Sequence, residues 1–65
     1  MKVSEEQIYV RCLIIESMVR DIVLRGTTDP KLLVEAVNNM FPPDTAEEME
    51  KYSEAIIYAK YSVLN

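Results

Sequence analysis

Cys12 is the most reactive nucleophile in this sequence, and it is the only cysteine, in a chain that has no histidine. Its neighbours at helical spacing are Ile8, Ile15 and Val19, so a buried, inert thiol is expected rather than an activated one. Glu47, Glu50 and Glu54 are spaced so that neighbouring pairs share a helix face, and paired carboxylates can act as acid and base or hold a metal. With Glu48 among them, the expected reading is a solvated acidic face. Without histidine, the side chain that titrates nearest neutral pH is missing. One cysteine and no histidine cannot build a Cys/His zinc site within one chain. Phosphate-cradling glycine loops and calcium-loop patterns are also missing. These residues point away from an enzyme, and no cofactor is expected.

Binding chemistry is better represented. Gly26-Thr27-Thr28-Asp29 leads into a helix start, where exposed backbone N–H groups favour anions. Arg25 and Lys31 flank it, although Asp29 is expected to occupy that helix end itself. Tyr58 falls opposite the buried stripe of its helix, near Glu47, Lys51 and Glu54. There it is an exposed tyrosine, a stacking platform or an interface anchor. Arg11 sits at the edge of an apolar helix face, placed for an interchain ion pair or a ligand contact. The net charge of −4 argues against duplex nucleic acid, whose binding draws on Lys and Arg against phosphate. It leaves room for a small anionic ligand held by two or three basic groups. A helix-turn-helix reader is excluded on the same ground, because the last helix opens with Glu47, Glu48 and Glu50.

Three helices position these residues, and an all-α single domain over 1–65 is expected. The first runs from about Ser4 to Arg25. Ser4 and Gln7 have the form of a capping box, and Glu5 and Glu6 suit the positive end of the helix dipole. Gly26, the only glycine, falls where a left-handed terminal residue is wanted. The run Ile8 to Ile15 is rich enough in β-branched residues to suit a strand. A helix is preferred because Ile8, Cys12, Ile15, Val19 and Ile22 hold a helical period through it. The second helix runs from about Pro30 to Met40, with Asp29 as cap and Leu33, Ala36, Val37 and Met40 on one face. Pro42 and Pro43 end it. The third runs from about Thr45 to Val63, capped by Asp44 with Glu47 three residues on. It carries one apolar stripe of Met49, Tyr52, Ile56, Ala59 and Val63, and a second of Ala46, Ile57, Tyr61 and Leu64. The chain thus reads as a helical hairpin preceded by a long N-terminal helix.

A domain of 65 residues hides only about 60% of the surface its unfolded chain exposes. Domains this small usually gain support from disulfides, a metal or a partner chain. The first two are excluded here, so a homo-oligomer is expected. The first helix says where. Its dense face holds Ile8, Cys12, Ile15, Met18, Val19, Ile22 and Val23, and Tyr9, Val10, Leu13, Ile14 and Leu24 fall outside it. Fully burying one large aliphatic contributes about 1.5–3 kcal/mol. Val10, Leu13, Ile14 and Leu24 are therefore the expected interface. No apolar run approaches the roughly 20 residues of a membrane span. The start from Met1 to Glu6 lacks the apolar stretch of a secretory signal, so a cytoplasmic protein is expected.

The segment Phe41 to Leu64 carries Pro42-Pro43 before a capped helix and then Glu54-Ala55-Ile56-Ile57-Tyr58-Ala59. In these features it resembles the C-terminal helical hairpin of phage anti-defence sponges of the anti-CBASS and anti-Thoeris kind. That family often has a Glu-Ala pair, two apolar residues, an aromatic and Ala. Tyr58 stands here at the aromatic position, where tryptophan is common. The resemblance covers the C-terminal part of the chain only and does not extend into the first helix. It implies a phage origin, a compact homo-oligomer and a pocket between subunits. In such a pocket a base stacks on an aromatic side chain and Lys or Arg holds the phosphates. Tyr9, Arg11 and Lys31 are candidates by chemistry, and with Tyr58 and Arg25 they complete the expected ligand-binding set.

Two functions follow. The leading expectation is a non-enzymatic helical homo-oligomer that regulates or inhibits a partner protein, with the phage origin that the resemblance implies. The alternative is a sponge that sequesters a small anionic cyclic oligonucleotide and so blocks host defence.

Overall fold

The computed structural model describes residues 3–64 and contains three helices and no strand among them. These are α1 (Glu5–Leu24), α2 (Pro30–Met40) and α3 (Ala46–Leu64). The stretch from Ile8 to Ile15 is helical throughout. No helix among the described residues is long and apolar enough to cross a membrane.

Local chemistry explains most of the boundaries. The Ser4 hydroxyl accepts from the Gln7 backbone N–H at 3.2 Å, and the Gln7 side chain accepts from the Ser4 N–H at 3.1 Å. This closes the capping box at the start of α1. At the other end, the Gly26 N–H donates to the Val23 carbonyl at 2.9 Å and the Thr27 N–H to the Ile22 carbonyl at 3.2 Å. That pair of bonds is the Schellman arrangement, and it requires the positive φ of 104° at Gly26. A Cβ at Gly26 would meet nothing within 4 Å, so only the backbone opposes a side chain there. Gly26→Ala is therefore expected to cost about 1–2 kcal/mol, read as a lower thermal midpoint with unchanged helix content at low temperature. A midpoint equal to the parent's would remove the Schellman turn from the account. Asp29 caps α2 by accepting from the Lys31 N–H at 3.0 Å, with Pro30 in the first turn.

The start of α3 differs from expectation by one residue. Thr45, not Asp44, caps the helix: its hydroxyl accepts from the Glu48 N–H at 3.1 Å and its carbonyl accepts from the Met49 N–H at 3.1 Å. Glu48 is therefore the acidic partner in the first turn, and Glu47 is left exposed.

α1 and α3 form the principal packing pair, and α2 touches each more lightly. Arg11 and Cys12 near the start of α1 reach Tyr52 and Lys51 in the first half of α3, and Arg20 near its end reaches Ser62 near the end of α3. The two therefore lie parallel, and α2 returns antiparallel between their ends. Ile8, Ile15, Val19 and Val23 of α1 meet Tyr52, Ala55, Ile56 and Ala59 of α3, and Leu33 and Val37 of α2 close the core. Met40 and Met49, expected on the buried stripes, stay half or more exposed, because both lie towards the ends of their helices. Cys12 is half-buried rather than central.

Candidate functional site

Glu48 is the one buried charged side chain among the described residues. It was expected on a solvated face, yet it is 1% exposed. Its burial is possible because each carboxylate oxygen finds a donor. Oε1 accepts from the Thr45 hydroxyl at 3.2 Å and Oε2 from the Tyr52 hydroxyl at 3.3 Å. Arg11 of α1 reaches across, with Nη1 3.8 Å from Glu48 Oε2 and donating to the Tyr52 oxygen at 3.2 Å. The guanidinium lies 5.2 Å from the centre of the Phe41 ring, close enough for a cation–π contact. Phe41 in turn packs against Tyr52 with ring centres 6.3 Å apart. The hydrogen bond to Tyr52 holds the Arg11 guanidinium above its ordinary pKa against the opposing effect of burial, with smaller support from the negative charge of Glu48 and Asp44. Among the described residues no buried side-chain nitrogen or oxygen lacks a partner. The cluster thus ties α1, the end of α2 and the start of α3 together. It uses Arg11 within the chain, where an interchain or ligand contact was expected.

The second feature is a groove between α1 and α3, to which no residue of α2 contributes. One end is a cavity of about 360 Å³ lined by Glu5, Ile8, Tyr9, Cys12, Glu47 and Lys51. An adjoining cavity of about 210 Å³ shares Cys12 and Lys51 and adds Glu16, Glu54, Ala55 and Tyr58. Ile8, Cys12 and Ala55 supply the apolar floor. Tyr9 and Tyr58 rise at the edges, 65% and 61% exposed. The Cys12 thiol donates to the Lys51 carbonyl at 3.6 Å. Burial first, and then the charge of Glu16, pushes this thiol above its ordinary pKa, which leaves it a poor nucleophile.

The expected ligand set is thereby divided. Tyr9 lines the larger cavity from α1, and Tyr58 lines the adjoining one from α3. Arg11 belongs to the Glu48 cluster. Arg25 is exposed at the end of α1, where it pairs with Asp21 at 3.3 Å. Lys31 is exposed in the first turn of α2. Within one chain Tyr9 and Tyr58 line adjoining cavities, and Arg11 lies about four helical turns along α1 from the end that carries Arg25.

Val10, Leu13, Ile14 and Leu24 all project away from the core, between 43% and 73% exposed. They recur at positions 10, 13, 14 and 24 with Ser17 between, along the side of α1 opposite α3. On α3 the second stripe is open as well, with Ile57, Tyr61 and Leu64 each more than half exposed.

These elements define a three-helix all-α protein with a buried ion-pair cluster and an open interhelical groove. No protein-family model, curated protein or solved structure matches the chain.

Proposed function

We propose that this protein is a non-enzymatic helical module that self-associates through the outer face of α1 and acts by binding a partner protein, as a regulator or inhibitor. One observation carries the reading: among the described residues thirteen large hydrophobic side chains stand exposed, against ten buried hydrophobic residues. Scattered exposed apolar residues are ordinary on any protein. Here Val10, Leu13, Ile14 and Leu24 fall instead on one side of one helix, with Leu13 and Ile14 three and four residues after Val10 and Leu24 two heptads beyond it, spacings that let two helices interlock. Ser17 near the middle of the row is small enough for close approach. A second copy laid on this face removes apolar surface from water at about 25 cal/mol per Å².

Size-exclusion chromatography with light scattering tests the assembly. The protein is expected to run as a species heavier than 7.5 kDa at micromolar concentration. Leu13→Ser with Ile14→Ser is expected to return it to that mass without loss of helical circular dichroism, since both side chains point outward. A clean monomer before substitution defeats the proposal. The alternative of a cyclic-oligonucleotide sponge requires basic groups gathered from more than one subunit, because Arg11 is engaged in the Glu48 cluster, far along α1 from Arg25. A thermal-shift panel of cyclic di- and trinucleotides separates the two. A ligand at 100 times its Kd raises stability by about 2.7 kcal/mol.

A further inference from the structure

The groove between α1 and α3 has a counterpart within the same molecule. On the other side of the α1–α3 pair lies α2, a helix of 11 residues that places Leu33 and Val37 into the core. The open groove extends along α3 from Glu47 to Tyr58. At 1.5 Å per residue that is about 17 Å, the length of α2 itself. The two long helices thus present two comparable seats, of which the chain fills one.

The two seats differ in charge. Glu5, Glu16, Glu47 and Glu54 line the open groove against the single ammonium of Lys51. Lys51 lies 4.0 Å from Glu54, and Glu16 lies 3.6 Å from Arg20. Glu5 and Glu47 have no ion-pair partner among the described residues. Both are exposed at the groove's edge. The floor of Ile8, Cys12 and Ala55 is apolar, and the rim tyrosines combine apolar rings with polar tips. An anion is repelled here; a cationic amphipathic segment meets complementary groups along its whole length.

We infer that the α1–α3 groove is a docking seat for a basic amphipathic helix of a partner protein. The occupant lays apolar side chains at three- and four-residue spacing on Ile8, Cys12 and Ala55. Its Lys or Arg side chains reach Glu5 and Glu47, and their alkyl stems lie against Tyr9 and Tyr58. This names the partner chemistry of the binding role proposed above, and it does not depend on self-association, which uses Val10, Leu13, Ile14 and Leu24, none of them lining the groove.

The test uses a fluorescein-labelled Leu/Lys amphipathic peptide of about three helical turns, and the same peptide with Glu for Lys. Anisotropy titration is run with the full chain. The Lys peptide is expected to bind and the Glu peptide not to. Glu5→Lys with Glu47→Lys is expected to weaken binding at least about tenfold, whereas the charge-matched Asp21→Lys with Glu35→Lys, neither of which lines the groove, leaves it within about twofold; tenfold corresponds to about 1.4 kcal/mol. Leu13→Ser with Ile14→Ser is expected to leave peptide binding unchanged even where it alters the oligomer. Equal loss in the two charge-reversal pairs shows only attraction to net negative charge and overturns the seat. Binding of the Glu peptide, absence of Lys-peptide binding, or loss confined to the Leu13 and Ile14 pair overturns it equally. None of these outcomes changes the light-scattering result, so the two proposals fail separately.

Discussion

Glu48→Ala is expected to lower stability by about 2–3 kcal/mol, seen as a thermal midpoint at least about 8 °C below the parent's. Removing one member of a fully buried ion pair costs roughly 3–5 kcal/mol, because its partner is stranded without compensation. The expected figure is smaller here because the Arg11 side chain keeps 31% of its surface in water and can turn outward. The remaining cost comes from Tyr52, whose buried hydroxyl loses the acceptor at 3.3 Å, and from the space the carboxylate filled. The cap itself survives, since the Thr45 hydroxyl still accepts from the backbone N–H of residue 48. A double-mutant cycle isolates the pair. In a chain already carrying Arg11→Ala, the same change at Glu48 is expected to cost less than in the parent. A Glu48→Ala midpoint within a degree of the parent's would show that the cluster contributes nothing to stability.

Leu33→Ala is the second large effect. Leu33 is 0% exposed and is one of the two buried residues of α2. Truncating a fully buried leucine costs about 2–5 kcal/mol. A core in a domain this small rarely supplies more than about 3–5 kcal/mol in total. An 11-residue helix does not hold its shape alone, because isolated helices shorter than roughly 12–15 residues are marginal in water. The variant is therefore expected to lose its cooperative melt, with helical circular dichroism falling before any other probe. Leu32→Ala, at the next position but 51% exposed, is expected to stay within about 0.5 kcal/mol of the parent. Parallel melts of the two variants decide the matter: if they coincide, Leu33 does not close the core.

The helix ends that could be read in advance were those settled by nearby residues. Ser4 with Gln7, Gly26, and Asp29 with Pro30 each act within one turn, and each stands where its residue type predicts. The outward projection of Val10, Leu13, Ile14 and Leu24 was legible for a related reason: helical spacing alone separates them from Ile8, Ile15 and Val19.

The start of α3 was not, because Asp44 with Glu47 and Thr45 with Glu48 satisfy one pattern equally well. What chooses between them is Arg11, far away in sequence, and the Tyr52 hydroxyl one turn on. A signal was present: Glu48, Tyr52, Ala55, Ile56 and Ala59 share one face, and a glutamate on an apolar face asks for a cation and a hydroxyl. Cys12 was misplaced for a similar reason. Its angle on α1 puts it on the apolar face, but whether that edge is covered depends on which side α2 takes. The groove was illegible as a groove, since it exists only once α1 and α3 lie parallel with α2 on the other side.

That parallel course of α1 and α3 has a practical consequence for engineering. Residue 3 and residue 64 lie towards opposite ends of a body 35 Å long. Joining them to make a circular permutant needs a linker of at least about ten extended residues. Two copies fused directly in tandem would instead follow one another along a common axis, as beads on a rod.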